Sequence, residues 1–117
     1  MSLTLQVRTW DKCAVVRCQG EMLAGPEANA LKRTVASLLK SYRRVVVNLQ
    51  ELKRLDCAGI GAIVACASLA WSEQKSLALC CVSEPVRKLL ELTHLTDFLT
   101  LHESEHHALI AHNVSAA

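Results

Sequence analysis

The sequence predicts an α/β fold: a mixed sheet of four to five strands, parallel at its centre, with about four helices on it. Three observations predict this. Residues 44–49 and 77–82 are near-continuous apolar runs, the pattern of strands covered on both faces of a parallel sheet. Stretches with apolar residues at i, i+3, i+4 and i+7 lie between them, which is the helical period. The chain opens instead on strict alternation, the mark of a half-exposed hairpin. Strand–helix alternation after a hairpin implies a sheet with crossover helices, and right-handed crossovers leave few topologies.

Each element follows in order. Leu3, Leu5 and Val7 alternate with Thr4, Gln6 and Arg8 as a first strand. Asp11-Lys12 turns the chain into a second strand over residues 13–18, and residues 20–26 are expected to form a loop. Pro26 suits the first turn of a helix whose stripe is Ala28, Leu31, Val35, Leu38 and Leu39. The central strand over 44–49 is followed by a short polar crossing and a tight turn. A helix starts at Asp56 and is expected to bury Ile60, Ile63, Val64, Ala67 and Trp71. After the strand over 77–82, Ser83 is a helix N-cap and Pro85 lies in the first turn, with Val86, Leu89 and Leu90 inward. Residues 98–101 form a short last strand and 103–112 a last helix.

The 117 residues make a single domain, 1–117, able to bury about two thirds of its unfolded surface. With 51% apolar but only 3% aromatic residues, the core is built from Val, Leu, Ile and Ala. A net charge of +2, with cations dispersed apart from Arg43-Arg44 and Lys53-Arg54, argues against nucleic-acid binding. No apolar run reaches the roughly 18 residues of a membrane span, and the start lacks a basic-then-apolar leader; a cytoplasmic protein is expected. Cys13, Cys18, Cys66, Cys80 and Cys81 sit inside apolar segments and read as small hydrophobes. Cys13 and Cys18 point to opposite faces, and the neighbours Cys80 and Cys81 are expected to diverge likewise. No Cys-x-x-Cys pair exists, so neither a metal nor a disulfide framework is expected.

Two segments, in the right order, carry a family resemblance. Val47-Asn48-Leu49 is followed by Asp56-Cys57-Ala58-Gly59-Ile60-Gly61, and later comes Ser83-Glu84-Pro85-Val86-Arg87-Lys88-Leu89-Leu90. These resemble the STAS domain family, whose turn reads Asp-Ser-Ser/Thr-Gly-Leu-Gly and whose later helix begins Ser-Pro-x-Val-x-x-Leu-Leu. The final stretch from Glu103 is similar to the family's last helix, so the resemblance covers nearly the whole chain. It implies a single-domain regulator similar to anti-sigma factor antagonists. Its partner would be an anti-sigma factor of the ATPase-kinase type, met through Asp56, Cys57, Ala58, Gly59, Ile60 and Gly61.

Two departures bear on that reading. In the antagonist branch the serine after the aspartate is phosphorylated, and the added charge ends binding. This chain has Cys57 there and Ala58 next, so no standard phosphorylation switch is expected. His94 stands where the family has glycine, a position where positive φ would be strained.

Each site residue also has a plain structural role. Asp56 caps a helix, worth about 1 kcal/mol. Cys57 is either a small packing residue or a redox-sensitive thiol, with the helix N-terminus and the Asp56 carboxylate acting on it in opposite directions. Gly59 and Gly61 serve close helix-to-strand packing; Gly-x-Gly lacks the rest of a nucleotide fingerprint. His102, His106, His107 and His112 cluster late in the chain and read as a solvated helix face, although His102 and His106 at i, i+4 could share a metal. Lys53 and Arg54 would form a basic lip beside the turn. No catalytic constellation and no cofactor are indicated. A second reading keeps the fold and makes the chain an accessory subunit of a lipid-trafficking membrane transporter. A homodimer through the opening hairpin is left open.

Overall fold

The computed structural model describes residues 3–23 and 26–116, with side chains through Ile110. Strands β1 (Leu3–Trp10) and β2 (Cys13–Met22) form the hairpin, turned at Asp11 with φ 56°. Helix α1 (Pro26–Ser41), β3 (Arg44–Leu55), α2 (Cys57–Ser72), β4 (Ser76–Cys80), α3 (Glu84–Leu92), β5 (Thr100–His102) and α4 (Glu105–Ala116) follow. A 3-10 turn at Leu95–Asp97 precedes β5. The sheet order is β1-β2-β3-β4-β5, antiparallel between β1 and β2 and parallel elsewhere. The expected α/β architecture is therefore the observed one.

Both sheet faces are covered. Val45, Val47 and Leu49 of β3 face Leu31, Val35 and Leu39 of α1 and Ile60 and Ile63 of α2 in the main core. Val46 turns the other way, to a smaller cluster with Cys13, Val15, Cys80 and Ala108 of α4. Cys13 and Cys18 do point to opposite faces. Asn48, 2% exposed, donates from Nδ2 to Glu105 Oε2 at 2.5 Å and accepts the Gln50 N–H at 2.8 Å. Arg17 donates to the same carboxylate oxygen at 3.2 Å, which fastens α4 to β2 and β3.

Several boundaries differ from the sequence reading. The expected loop after residue 20 is strand: β2 runs to Met22, with Gly20 at φ 105° beside the register shifts against β3. Ala24 and Gly25 of that loop lie outside the described residues. The expected polar crossing after Leu49 is also strand, because β3 continues to Leu55 in partnership with β2, pairing Gln19 with Glu51, Gly20 with Leu52 and Met22 with Leu55. Its polar residues face solvent on this extension, where β4 no longer runs alongside. β4 stops at Cys80 rather than residue 82, β5 covers 100–102 and α4 begins at Glu105.

Trp71 is 79% exposed, not buried. Ala70, 1% exposed, takes the inward position in the last turn of α2, which turns Trp71 about 100° away. Cys80 and Cys81 do not diverge either: Cys81 has φ 62°, and both residues lie against the smaller cluster. His102 is on β5 and not on a helix, so it shares no helical face with His106. His112 lies outside the described side chains, and no group of metal-ligating side chains occurs among the described residues. His94 has φ 61°, the strained value expected for a residue in a glycine position.

Candidate functional site

β4 ends opposite Asn48, and β3 runs on with β2 to Leu55, past the edge where open α/β sheets gather their loops. Leu55 ends β3, and Asp56, in an extended conformation at φ −106°, caps α2. Its Oδ1 accepts the Gly59 N–H at 2.9 Å and its carbonyl accepts the Ile60 N–H at 3.0 Å. The Asp56 N–H donates to the carbonyl of Met22 at 3.4 Å, so the long β2 arm holds the turn from below.

Gly59 is fixed by this contact. A Cβ there would lie 2.4 Å from the Met22 carbonyl oxygen and 2.5 Å from Leu55 Cδ1. Gly61 has open space around the same position, so close packing explains the first glycine and not the second. The six residues therefore split. Gly59 and Ile60 are buried, Asp56 is half-buried, and Cys57, Ala58 and Gly61 are exposed.

The exposed side of the helix continues in small residues. Cys57, Gly61, Ala65, Ser68 and Ser72 follow one another at steps of three or four, all exposed, and α2 contains no charged residue. A solvent-facing helix surface without a charge is unusual, since such faces are ordinarily covered in them. The sequence names Asp56–Gly61 and the helix after it as one surface; the absence of charge over the sixteen residues of α2 marks how far the exposed face runs.

Beside the turn lies a cleft of about 380 Å³, with residues 52–56 on one wall and Ser83, Pro85, Val86 and Leu89 of α3 on the other. Ser83 occupies the N-cap position of α3 as expected, but its hydroxyl makes no capping bond. Sequence reasoning placed Val86 and Leu89 inward without placing them next to Asp56; only the β3–β4 pairing does that. Lys53 and Arg54 are on the rim as expected, with Arg54 Nη1 3.4 Å from Glu21 Oε2.

A family model described as "STAS domain" matches residues 4–108. The chain belongs to the STAS domain family. Among its relatives, the anti-sigma F factor antagonist of Paenibacillus polymyxa is 24% identical over 110 residues, covering 93% of this STAS chain and 94% of that protein. The anti-sigma-B factor antagonist of Staphylococcus aureus is 27% identical over 105 residues, covering 88% and 95%. The crystal structure of an anti-sigma factor antagonist from Mycobacterium paratuberculosis shares the fold, with TM-score 0.78 and 22% identity over 94% of this chain and 93% of that one. Cys57 stands at the head of α2, directly after the Asp56 cap.

Proposed function

We propose that this STAS protein is a non-enzymatic binding module that acts as an anti-sigma factor antagonist, docking on an anti-sigma factor of the ATPase-kinase type and so freeing a sigma factor. The observation that carries the reading is the uncharged, small-residue face of α2 beginning at Cys57, continuous with the cleft between Asp56 and α3. Small side chains let a partner's backbone approach closely, and uncharged ones cost little to desolvate. The names of the Paenibacillus and Staphylococcus relatives support the same role.

Regulation would differ from that of a phosphorylated antagonist. A phosphate at the head of the docking face would add charge where the partner must exclude water. Cys57 and Ala58 carry no hydroxyl, so the head of the face takes no phosphate there in the presence of ATP. Lys53 and Arg54 on the rim favour a partner that is acidic around its docking groove, since rim charges act mainly on association rate.

The test is capture of candidate anti-sigma kinases from the same genome by the purified protein. One of them should bind the wild type and be lost with Ala58→Arg, whose exposed position leaves the core untouched. Capture of none would sink the reading. With the partner and ATP, the wild type should stay unmodified while Cys57→Ser becomes a phosphate acceptor; phosphate on a wild-type Ser or Thr would show that the switch lies elsewhere.

A further inference from the structure

We propose that Cys80 and Cys81 form a vicinal dithiol that closes to a disulfide under a hydroperoxide and captures a trivalent arsenical. On a regular strand two neighbours face opposite sides of the sheet. Here Cys81 takes φ 62°, and both residues lie against the same cluster beneath α4. Left-handed φ is uncommon outside glycine, and Asp11, Gln74 and His94 also adopt it; at Cys81 it is a local cost. That conformation goes with both side chains lying on one side of the sheet, where a regular strand would separate them.

The two thiols differ in access. Cys80 is fully buried and Cys81 half-buried. Burial pushes the Cys80 thiol well above its ordinary range, and Cys81, the more accessible of the two sulfurs, is the one that attacks. Cys81 Sγ attacks one oxygen of the hydroperoxide, the O–O bond breaks, and a sulfenic acid forms while the other oxygen leaves as water or alcohol. Cys80 Sγ then attacks Cys81 Sγ, the S–O bond breaks, and the departing hydroxide takes the Cys80 proton as water. The two thiols are oxidised and the peroxide is reduced. A trivalent arsenical oxide condenses with both sulfurs and releases one water.

The pair ends β4, two residues before Ser83 on the cleft wall, but the assignment of the dithiol does not depend on what docks there. Trypsin releases residues 76–87, which contain Cys80 and Cys81 and no other cysteine. After one equivalent of hydrogen peroxide per chain, this peptide should lose the mass of two hydrogens and stop reacting with a thiol reagent. Phenylarsine oxide should bind the reduced full chain once, in the wild type and in Cys57→Ser, and be lost in Cys81→Ser. Cys81→Gly, whose backbone suits φ 62°, should fold and also fail to bind, which separates loss of the thiol from loss of the fold. Oxidation appearing instead between Cys18 and Cys66, sulfinic acid on Cys81 without closure, or arsenical binding that survives in Cys81→Ser would overturn the proposal.

Discussion

At Gly59 and Gly61 two glycines two residues apart have opposite physical reasons. Gly59→Ala drives a methyl into the Met22 carbonyl and Leu55, and overpacking of this kind costs about 1–3 kcal/mol. Gly61→Ala meets open space on an exposed helix face, so removing backbone freedom should stabilise by about 0.5–1 kcal/mol. Urea unfolding of the two variants checks both, and the signs should be opposite. His94→Gly should likewise stabilise, by up to about 1 kcal/mol, because His94 holds φ 61° without help from any hydrogen bond of its own side chain at that cap. The local geometry of Asp56–Gly61 was legible in the sequence because a cap and a glycine turn are local signals. Their partners across the cleft were not, because nothing local says that Asp56 and Val86 meet.

Among the elements, α4 is the cover of the sheet's second face, and its attachment is polar as well as apolar. Glu105 receives Arg17 and the buried Asn48 at one oxygen, while Ala108 sits at 0% exposure against Val46. Glu105→Ala leaves the Asn48 amide and the Arg17 guanidinium without that acceptor, at a cost of about 1–3 kcal/mol. Hydrogen exchange should show α4 and the middle of β3 losing protection together; loss confined to α4 would mean that Asn48 finds another acceptor. In α2 Ile60 and Ile63 are buried as expected, while Val64 and Ala67 are only half-buried and Ala62, Cys66 and Ala70 fill the core. The core stripe of α1 was readable from spacing, and the central strands from their apolar runs. The ends of β2 and β3 were not. Gln50, Glu51, Lys53 and Arg54 read as a crossing because they are polar, yet the segment is strand because β2 extends alongside and pairs with Glu51, Leu52, Arg54 and Leu55. Trp71 misleads in the reverse sense: its residue type and spacing say core, and its place in the last turn of α2 leaves it 79% exposed.

For the whole molecule, two thiols across the main core couple folding to alkaline pH. Burial pushes Cys18 up to about 12, with Cys66 beside it adding to the effect, and burial pushes Cys66 up to about 11. Both are raised above their ordinary 9.0, so the unfolded chain loses these protons first. The stability they contribute is complete below pH 9.0 and falls as pH rises through the folded values near 11 and 12. Unfolding midpoints measured across that window should fall, and Cys66→Ala should flatten the fall while leaving the neutral-pH fold intact; an unchanged slope would mean that other groups dominate. At neutral pH the same core is inert, and it presents the uncharged face of α2 beside the Asp56–α3 cleft as a rigid surface.

The proposed role requires that surface to bind its partner with no phosphate to switch it off. The direct measurement is calorimetric titration of the purified protein into its captured anti-sigma factor, before and after incubation of the mixture with ATP. Unchanged affinity after ATP, with at least about tenfold weaker binding for Ala58→Arg, is the predicted result. Affinity that collapses after ATP with phosphate on the wild-type chain, or Ala58→Arg binding as tightly as the wild type, would contradict it.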